Sequence, residues 1–118
     1  MNKYRVVIPT FIRPKALAML SETCQIRHWQ GPEAIPTTTL FEWLQDAEGL
    51  FMTGHGIPVN SELLSHAPNL RVIAQAAAGF DNTDLGACTE RKVPFSNTPG
   101  PVVEATADIA FGLLLCAA

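Results

Sequence analysis

Residues 70–82 read LRVIAQAAAGFDN, an apolar run that passes through a glutamine into small residues and then polar ones. The run is short and rich in branched aliphatic side chains, as in a strand buried on both faces of a parallel sheet. Asp81 can cap a following helix, because its carboxylate accepts hydrogen bonds from the free amides of a first turn. Strand, small-residue turn and helix start together predict one unit of an α/β sheet.

The same alternation of strand and helix extends to both sides of this unit. The predicted strands are residues 5–8, 25–29, 49–53, 70–75 and 93–96. The predicted helices are residues 15–21, 39–46, 60–68 and 81–91, with a fifth from Pro101 onward. Pro94 removes a ladder donor, which favours a sheet edge for the last strand. We therefore predict a flavodoxin-like, doubly wound five-stranded parallel sheet of order 2-1-3-4-5.

Local signals place several helix ends. The threonines at 37–39 can cap the second helix, and Asn60 can cap the third. Glu62 favours the first turn of that third helix, and Pro68 stops it.

The last helix differs from the others because it is apolar nearly all round. Pro101 suits its first position, and Glu104 and Asp108 are expected to complement the positive end of its dipole. Apart from Gly112 and Cys116, every position from 109 onward is apolar. Such a helix needs cover from another domain or a second subunit. Since the sequence stops inside this run without a C-terminal signal, we expect a further domain to follow.

Composition excludes several classes of function. A length of 118 residues with 47% hydrophobic residues suits one domain, and a net charge of -3 without a basic run argues against nucleic acid. Cys24, Cys88 and Cys116 lack C-x-x-C spacing, so we expect reduced thiols, no metal and a cytoplasmic location. Residues 109–118 are half a membrane span, and the amino terminus is too polar for a secretory signal, so no membrane contact is expected.

The turn at 76–79 is the main candidate site. Its small residues let a ligand approach the backbone, and free amides with the dipole of a following helix would favour a small carboxylate. A tight turn in which small side chains only permit close packing is equally compatible with this composition.

A second glycine-containing segment, Gly54-His55-Gly56, has the first two glycines of a dinucleotide fingerprint. The third glycine is absent and Pro58 stands where the phosphate-binding helix should begin. We interpret the segment as a loop beside the turn at 76–79, with His55 either a substrate contact or a solvated loop residue. His28 and His66 lack a second ligand at metal spacing.

Three phrases in fixed order then resemble the D-isomer-specific 2-hydroxyacid dehydrogenases: residues 70–84, SNTPG at 96–100 and EATAD at 104–108 before an apolar helix. The resemblance implies a parent enzyme that interconverts glyoxylate- or hydroxypyruvate-type 2-oxo acids and D-2-hydroxy acids with NAD or NADP. It also implies that the backbone amides of Ala78 and Gly79 hold the substrate carboxylate and that Thr106 lies near the nicotinamide. Val102 stands where many members have asparagine or threonine.

The resemblance also implies a division of the chain. Residues 1–100 would form the substrate-binding domain and residues 101–118 the start of an interdomain and dimerisation helix. In the family the cofactor fingerprint and the catalytic arginine, glutamate and histidine belong to a second domain that is absent here. We therefore expect no cofactor binding and no turnover by this chain alone, and a homodimeric parent.

Two alternatives use the same fold without catalysis. The transcriptional corepressors called C-terminal binding proteins resemble the same region, including the Glu-x-Thr-Ala-Asp phrase at 104–108. The chain could also act as a stand-alone interaction module. Turnover of an oxo acid by the full-length protein distinguishes an enzyme from the first alternative, and monomeric behaviour of the isolated chain favours the second.

Overall fold

The structure is a computed structural model that describes residues 3–54 and 56–118. Strands and helices alternate along it in the order β1 Tyr4–Ile8, α1 Pro14–Thr23, β2 Cys24–His28, α2 Thr37–Leu44, β3 Gly49–Thr53, α3 Ser61–Ser65, β4 Val72–Ala76, α4 Leu85–Glu90, β5 Phe95–Ser96 and α5 Gly100–Ala117. The strands form one parallel sheet of order β2-β1-β3-β4-β5, which confirms the predicted fold.

Helices cover both faces of the sheet, and the alternation of side chains along β1 shows why. Val6 and Ile8 are buried against Leu17 and Leu20 of α1, whereas Val7 belongs to the larger core on the other face. That larger core contains residues from β3, β4, α2, α3 and α4, namely Leu40, Leu44, Leu50, Leu63, Leu64, Ile73, Ala87 and Cys88. The two cores hold the carboxyl ends of the central strands in fixed positions.

The third helix begins as predicted, but two other predicted caps are wrong. The Asn60 side chain accepts from the Leu63 amide at 3.0 Å. The fourth helix begins only at Leu85 and is capped by Asp84, whose Oδ1 accepts from the Ala87 amide at 3.0 Å. Asp81 lies in a turn before it, because the Asp84 amide donates to Val59 O and ties the intervening segment to the loop after β3.

The threonines at 37–39 do not cap α2 but lie inside its first turn. The residue before that helix is Pro36, which makes no side-chain cap, and its carbonyl accepts from the Leu40 amide at 3.0 Å. That bond is the first regular bond of the helix, and no side chain caps the amides that precede it.

The strands differ from the predicted ranges by a residue or two. Leu70 is not in β4, because its amide donates to Ala67 O and closes the turn after α3. The last strand shrinks to two residues at the sheet edge, as the position of Pro94 favours. Pro94 still supplies its carbonyl to the Ile73 amide at 3.0 Å, so only the donor side of the ladder is lost.

From Val102 onward, the residues of the fifth helix are exposed except for the half-buried Gly112. It begins at Gly100, so Glu104 and Asp108 lie beyond its first turn and the predicted dipole role for them is wrong. The exposed large hydrophobic residues of α5 are Val102, Val103, Ile109, Phe111, Leu113, Leu114 and Leu115. Across the described part of the chain, no helix combines the length and apolar character needed to cross a membrane.

Candidate functional site

The candidate site lies where β3 and β4 end side by side. Thr53 and Ala76 are the last paired residues of the two strands, so both outgoing connections leave from the same edge of the sheet. Residues 77–80 form the turn after β4, and residues 54 and 56–60 belong to the loop after β3. The carboxyl ends of parallel strands are where ligands bind in sheets of this kind.

Three successive carbonyl groups of the turn are held by donors from within the domain. Ala77 O accepts from the Thr98 amide at 2.9 Å, and Ala78 O accepts from Asn97 Nδ2 at 2.7 Å. Gly79 O accepts from Gln75 Nε2 at 2.9 Å. The turn is therefore fixed on its carbonyl side by β4 and by the segment that follows β5.

The amides of the same turn remain available. Those of Ala78 and Gly79 lie outside the strands and donate to none of the residues that the structure describes. Both residues are half-buried, and Gly79 lines an open cleft of about 570 Å³. The other lining residues are Phe80, Asp81, Thr83, Asp84 and Leu85. This arrangement leaves the two backbone amides free to donate to a ligand.

A buried pair of side-chain amides lies beneath the turn. Gln75 is only 2% exposed, and its Nε2 is 3.3 Å from Asn82 Oδ1. Asn82 Nδ2 in turn donates to Gln75 Oε1 at 3.2 Å and to Ile57 O at 2.9 Å. The pair joins the turn after β4 to the loop after β3, so the two segments are positioned together.

The helix that follows the turn does not contribute its dipole to the site. Leu85, the first residue of α4, is six residues past Gly79. The Ala87 amide in the first turn of α4 already donates to the Asp84 carboxylate. The predicted help from a helix dipole is therefore wrong, because residues 80–83 form a turn instead of a first helical turn.

The loop after β3 lies beside the turn, as predicted. The Val59 amide donates to Asn82 O at 2.9 Å, and Val59 pairs with Thr83 in an isolated parallel bridge. The base of the loop is fixed by Thr53, whose amide donates to Thr10 Oγ1 at 2.9 Å. His55, the predicted substrate contact in this loop, lies outside the described residues.

Thr106, the predicted cofactor contact, lies on α5 with an exposed side chain. It is six residues past Gly100, which corresponds to about 9 Å along a helix axis. The bond from the Thr98 amide to Ala77 O brings the start of α5 close to the turn. Among the described residues, no hydrogen bond joins Thr106 itself to Ala78 or Gly79.

A larger cleft of about 900 Å³ lies at the ends of β1, β2 and β3. Aromatic and aliphatic side chains line it, and its acidic lining residues are Glu33 and Glu62. The described lining of this cleft and of the cleft at Gly79 includes neither arginine nor lysine. The cleft at Gly79 also has two acidic lining residues, Asp81 and Asp84. Backbone amides would therefore have to hold a bound carboxylate against the repulsion of these two side chains.

The titratable side chains of Cys88 and His66, away from the turn, have structural surroundings and are not candidates for catalysis. Burial raises the pKa of the Cys88 thiol above its usual 9.0, and the Asp84 carboxylate raises it further. His66 stacks on Phe41 with ring centres 4.0 Å apart. In the residues that the structure describes, no group of three or more histidine, cysteine or carboxylate side chains could hold a metal ion.

Sequence reasoning missed Gln75, Asn82 and Asn97. Gln75 is the one polar side chain in the apolar run at 72–76, and a polar residue inside a buried strand is the signal that could have indicated a hydrogen-bonded network. Asn82 and Asn97 are indistinguishable from ordinary turn residues in the sequence, because only the tertiary structure brings them to the same turn.

Comparison with known proteins agrees with this geometry. Residues 6–112 match the family model described as D-isomer specific 2-hydroxyacid dehydrogenase, catalytic domain. Glyoxylate reductase of Thermococcus litoralis is 39% identical over 116 residues, a stretch covering 98% of this chain and 35% of that enzyme. Glyoxylate reductase of Aeropyrum pernix is 36% identical over 120 residues, with 100% and 35% covered. The chain thus spans about a third of the length of these curated relatives.

Solved structures share the fold. The TT0316 protein of Thermus thermophilus superposes with a TM-score of 0.81 and 34% identity over 94% of this chain and 35% of that one. An NADPH-dependent glyoxylate/hydroxypyruvate reductase of Sinorhizobium meliloti, in complex with NADP and malonate, gives a TM-score of 0.72 and 25% identity over 97% and 34%.

Proposed function

Because the chain belongs to the D-isomer specific 2-hydroxyacid dehydrogenase family, we propose that it is the substrate-binding domain of an NAD- or NADP-dependent oxidoreductase. That enzyme would interconvert small 2-oxo acids and D-2-hydroxy acids of the glyoxylate or hydroxypyruvate type. The names of its relatives in Thermococcus litoralis and Sinorhizobium meliloti support this substrate class.

One observation carries the proposal for the site: the amides of Ala78 and Gly79 are free at the carboxyl end of β4. In our proposal they hold the substrate carboxylate and so orient the neighbouring keto carbon. Hydrogen bonds to an ionised acceptor are stronger than those to a neutral one, so two adjacent amides favour a carboxylate over an uncharged group.

The described residues do not fit a dinucleotide-binding turn. After Gly56 the chain enters a bridge at Val59, and α3 begins only at Ser61, so no helix follows the glycines directly. We therefore propose that NAD or NADP is held by another domain and that this chain contributes at most a contact from Thr106. Residues 1–100 would then be the substrate-binding domain, and residues 101–118 the start of an interdomain and dimerisation helix in a homodimer.

Binding of a carboxylate by the chain itself tests the site. Glycolate added to the ¹⁵N-labelled chain is expected to shift the amide resonances of Ala78 and Gly79, with a dissociation constant in the millimolar range or weaker, roughly 4 kcal/mol or less of binding free energy. Weak binding is expected because neither arginine nor lysine is in the described lining of the clefts and because Asp81 and Asp84 line the cleft at Gly79.

Glycolamide is the matched control, because it replaces the carboxylate by a neutral amide of nearly the same size. It is expected to leave both resonances unchanged. Equal shifts with the two compounds, or shifts confined to other parts of the chain, would contradict the carboxylate role of Ala78 and Gly79.

Turnover needs a bound nicotinamide, a cation near the ketone and a proton donor, and the described lining of the clefts lacks the cation. We therefore expect no glyoxylate-dependent oxidation of NADH or NADPH by the 118-residue chain in an absorbance assay. Steady turnover by the purified chain would contradict the proposal that another domain holds the cofactor.

A corepressor-like role instead predicts no oxo-acid turnover even by the full-length protein.

A further inference from the structure

We propose that Asn97 and Gln75 are positioning residues for substrate binding, and that the amide of Phe80 is a third donor beside those of Ala78 and Gly79. This inference rests on the proposed function of the turn. It goes further because it names, for each amide of the turn, the side chain or backbone group whose hydrogen bond sets the direction of that N–H.

The argument starts from the planarity of the peptide bond. In a trans peptide unit, the carbonyl of one residue and the amide of the next point in opposite directions. A donor that holds the carbonyl on one side therefore forces the following amide to the other side. No cis peptide bond occurs in the described residues, so the rule applies to each unit of this turn.

Asn97 fixes the Gly79 amide in this way. Its Nδ2 donates to Ala78 O at 2.7 Å, so the Gly79 N–H points away from the segment after β5. The neighbouring Thr98 amide donates to Ala77 O at 2.9 Å and directs the Ala78 N–H away from the same segment. Asn97 and Thr98 thus direct the N–H groups of Gly79 and Ala78 away from the segment after β5.

Gln75 fixes the next unit from inside the sheet. Its Nε2 donates to Gly79 O at 2.9 Å, and the side chain is almost wholly buried. The Phe80 N–H therefore points away from the core, and it donates to no described residue. Phe80 lines the same open cleft as Gly79, so this third amide is placed to meet the same ligand.

Asn82 keeps Gln75 in the required orientation. Its Nδ2 donates to Gln75 Oε1 at 3.2 Å and to Ile57 O at 2.9 Å. Because the Gln75 oxygen is already occupied, its nitrogen is the group left to donate toward Gly79. Rotating the amide by half a turn would place an acceptor against a carbonyl oxygen, which a buried site disfavours.

Asn97→Ala tests the proposal on the full 118-residue chain. We expect glycolate affinity, read from the amide shifts of residues 78–80, to fall about fivefold or more, as the loss of one net hydrogen bond implies. Residual dipolar couplings measured without ligand should change for the Gly79 N–H and stay the same for the Phe80 N–H, which Gln75 holds. A general loss of structure would alter both.

Asn69→Ala is the matched control, because Asn69 Nδ2 also donates to a backbone carbonyl, that of Gln45, at 3.3 Å. It is expected to leave the affinity within about twofold of the wild type. Gln75→Glu, which keeps the shape but removes the donor, should instead change the coupling of the Phe80 N–H.

The outcomes separate this inference from the proposed function. If glycolate fails to shift any amide of residues 78–80 in the wild-type chain, both the carboxylate site and the positioning roles are wrong. If the wild type binds and Asn97→Ala binds equally well with unchanged couplings, only the positioning roles are wrong. If Phe80 alone does not respond to glycolate, the third donor is wrong.

Discussion

At the scale of a single residue, the two glycines on either side of His55 show that backbone conformation determines whether a larger side chain is tolerated. Neither Gly54 nor Gly56 has a heavy atom within 4 Å of the position that a Cβ would take, so a methyl group fits at both. Only Gly54 has a positive φ, of 73°. The difference between them is therefore one of backbone strain and not of space.

Gly54→Ala is expected to destabilise the chain by about 1 kcal/mol, because an L-residue in the left-handed region brings its Cβ close to a carbonyl oxygen. Gly56→Ala should be neutral or stabilising by a few tenths of a kcal/mol, since it only restricts the unfolded chain. Urea unfolding of the two variants measures the difference, and equal stabilities would contradict the argument.

Cys88 offers a test in which pH is the variable. Burial raises the pKa of its thiol above 9.0, so the folded state keeps its proton at pH values where the unfolded state has lost it. The resulting stability is fully present below about pH 9 and is lost as the pH rises further. The free energy of unfolding should therefore decline above about pH 9 more steeply in the wild type than in Cys88→Ala. Parallel declines would show that burial of Cys88 has no such effect.

At the scale of elements, a tertiary contact determines which of two aspartates, Asp81 or Asp84, caps α4. Asp81 and Asp84 are both suitable residues in the sequence, yet Asp84 caps the helix. The choice follows from the bridge between Val59 and Thr83, which keeps the chain extended up to Asp84.

Replacement of Asp84 by alanine is expected to cost about 1 kcal/mol, because the Ala87 amide loses its acceptor. Asp84→Asn is the matched control, since an asparagine side chain also caps helices well and should stay within a few tenths of a kcal/mol of the wild type. Thermal unfolding of both variants measures the contrast. A similar loss in the two would mean that charge, and not the capping bond, stabilises this end.

At the scale of the whole molecule, the apolar surface of α5 is the dominant feature. Ile109, Phe111 and Leu113 are each more than 60% exposed. Large contiguous apolar patches are uncommon on monomeric proteins and usually mark an interface. Self-association of the isolated chain through α5 would therefore agree with the proposed interdomain and dimerisation helix.

We expect the 118-residue chain to self-associate in sedimentation velocity at tens of micromolar, an order of magnitude typical of modest apolar interfaces. The double variant Ile109→Glu and Leu113→Glu, which places two charges four residues apart on one side of the helix, should sediment as a monomer. Met19→Glu is the control, because Met19 is equally exposed but lies on α1. A monomeric wild-type chain would instead favour the stand-alone module.

The sequence alone was sufficient to predict the order of elements, the parallel sheet and, within one residue, the turn after β4, which was predicted at 76–79 and lies at 77–80. These features depend on local patterns, such as the branched aliphatic run before Ala76 and the prolines at element boundaries. The identity of Ala78 and Gly79 as site candidates followed from small residues at a strand end together with family resemblance. Asn60 was correctly predicted as a cap because its bond is made within three residues.

Only the tertiary structure decided which polar groups donate hydrogen bonds to the turn after β4 and which residue caps each helix. Asn97 is 19 residues from Ala78, and Asn82 reaches Ile57 across 25 residues, so no local pattern contains either bond. Asp84 and not Asp81 caps α4, because the bridge between Val59 and Thr83 keeps the residues before Asp84 out of the helix. Local propensity is fixed by neighbours in the chain, whereas the direction of a carbonyl or an amide is fixed by whatever the folded sheet places beside it.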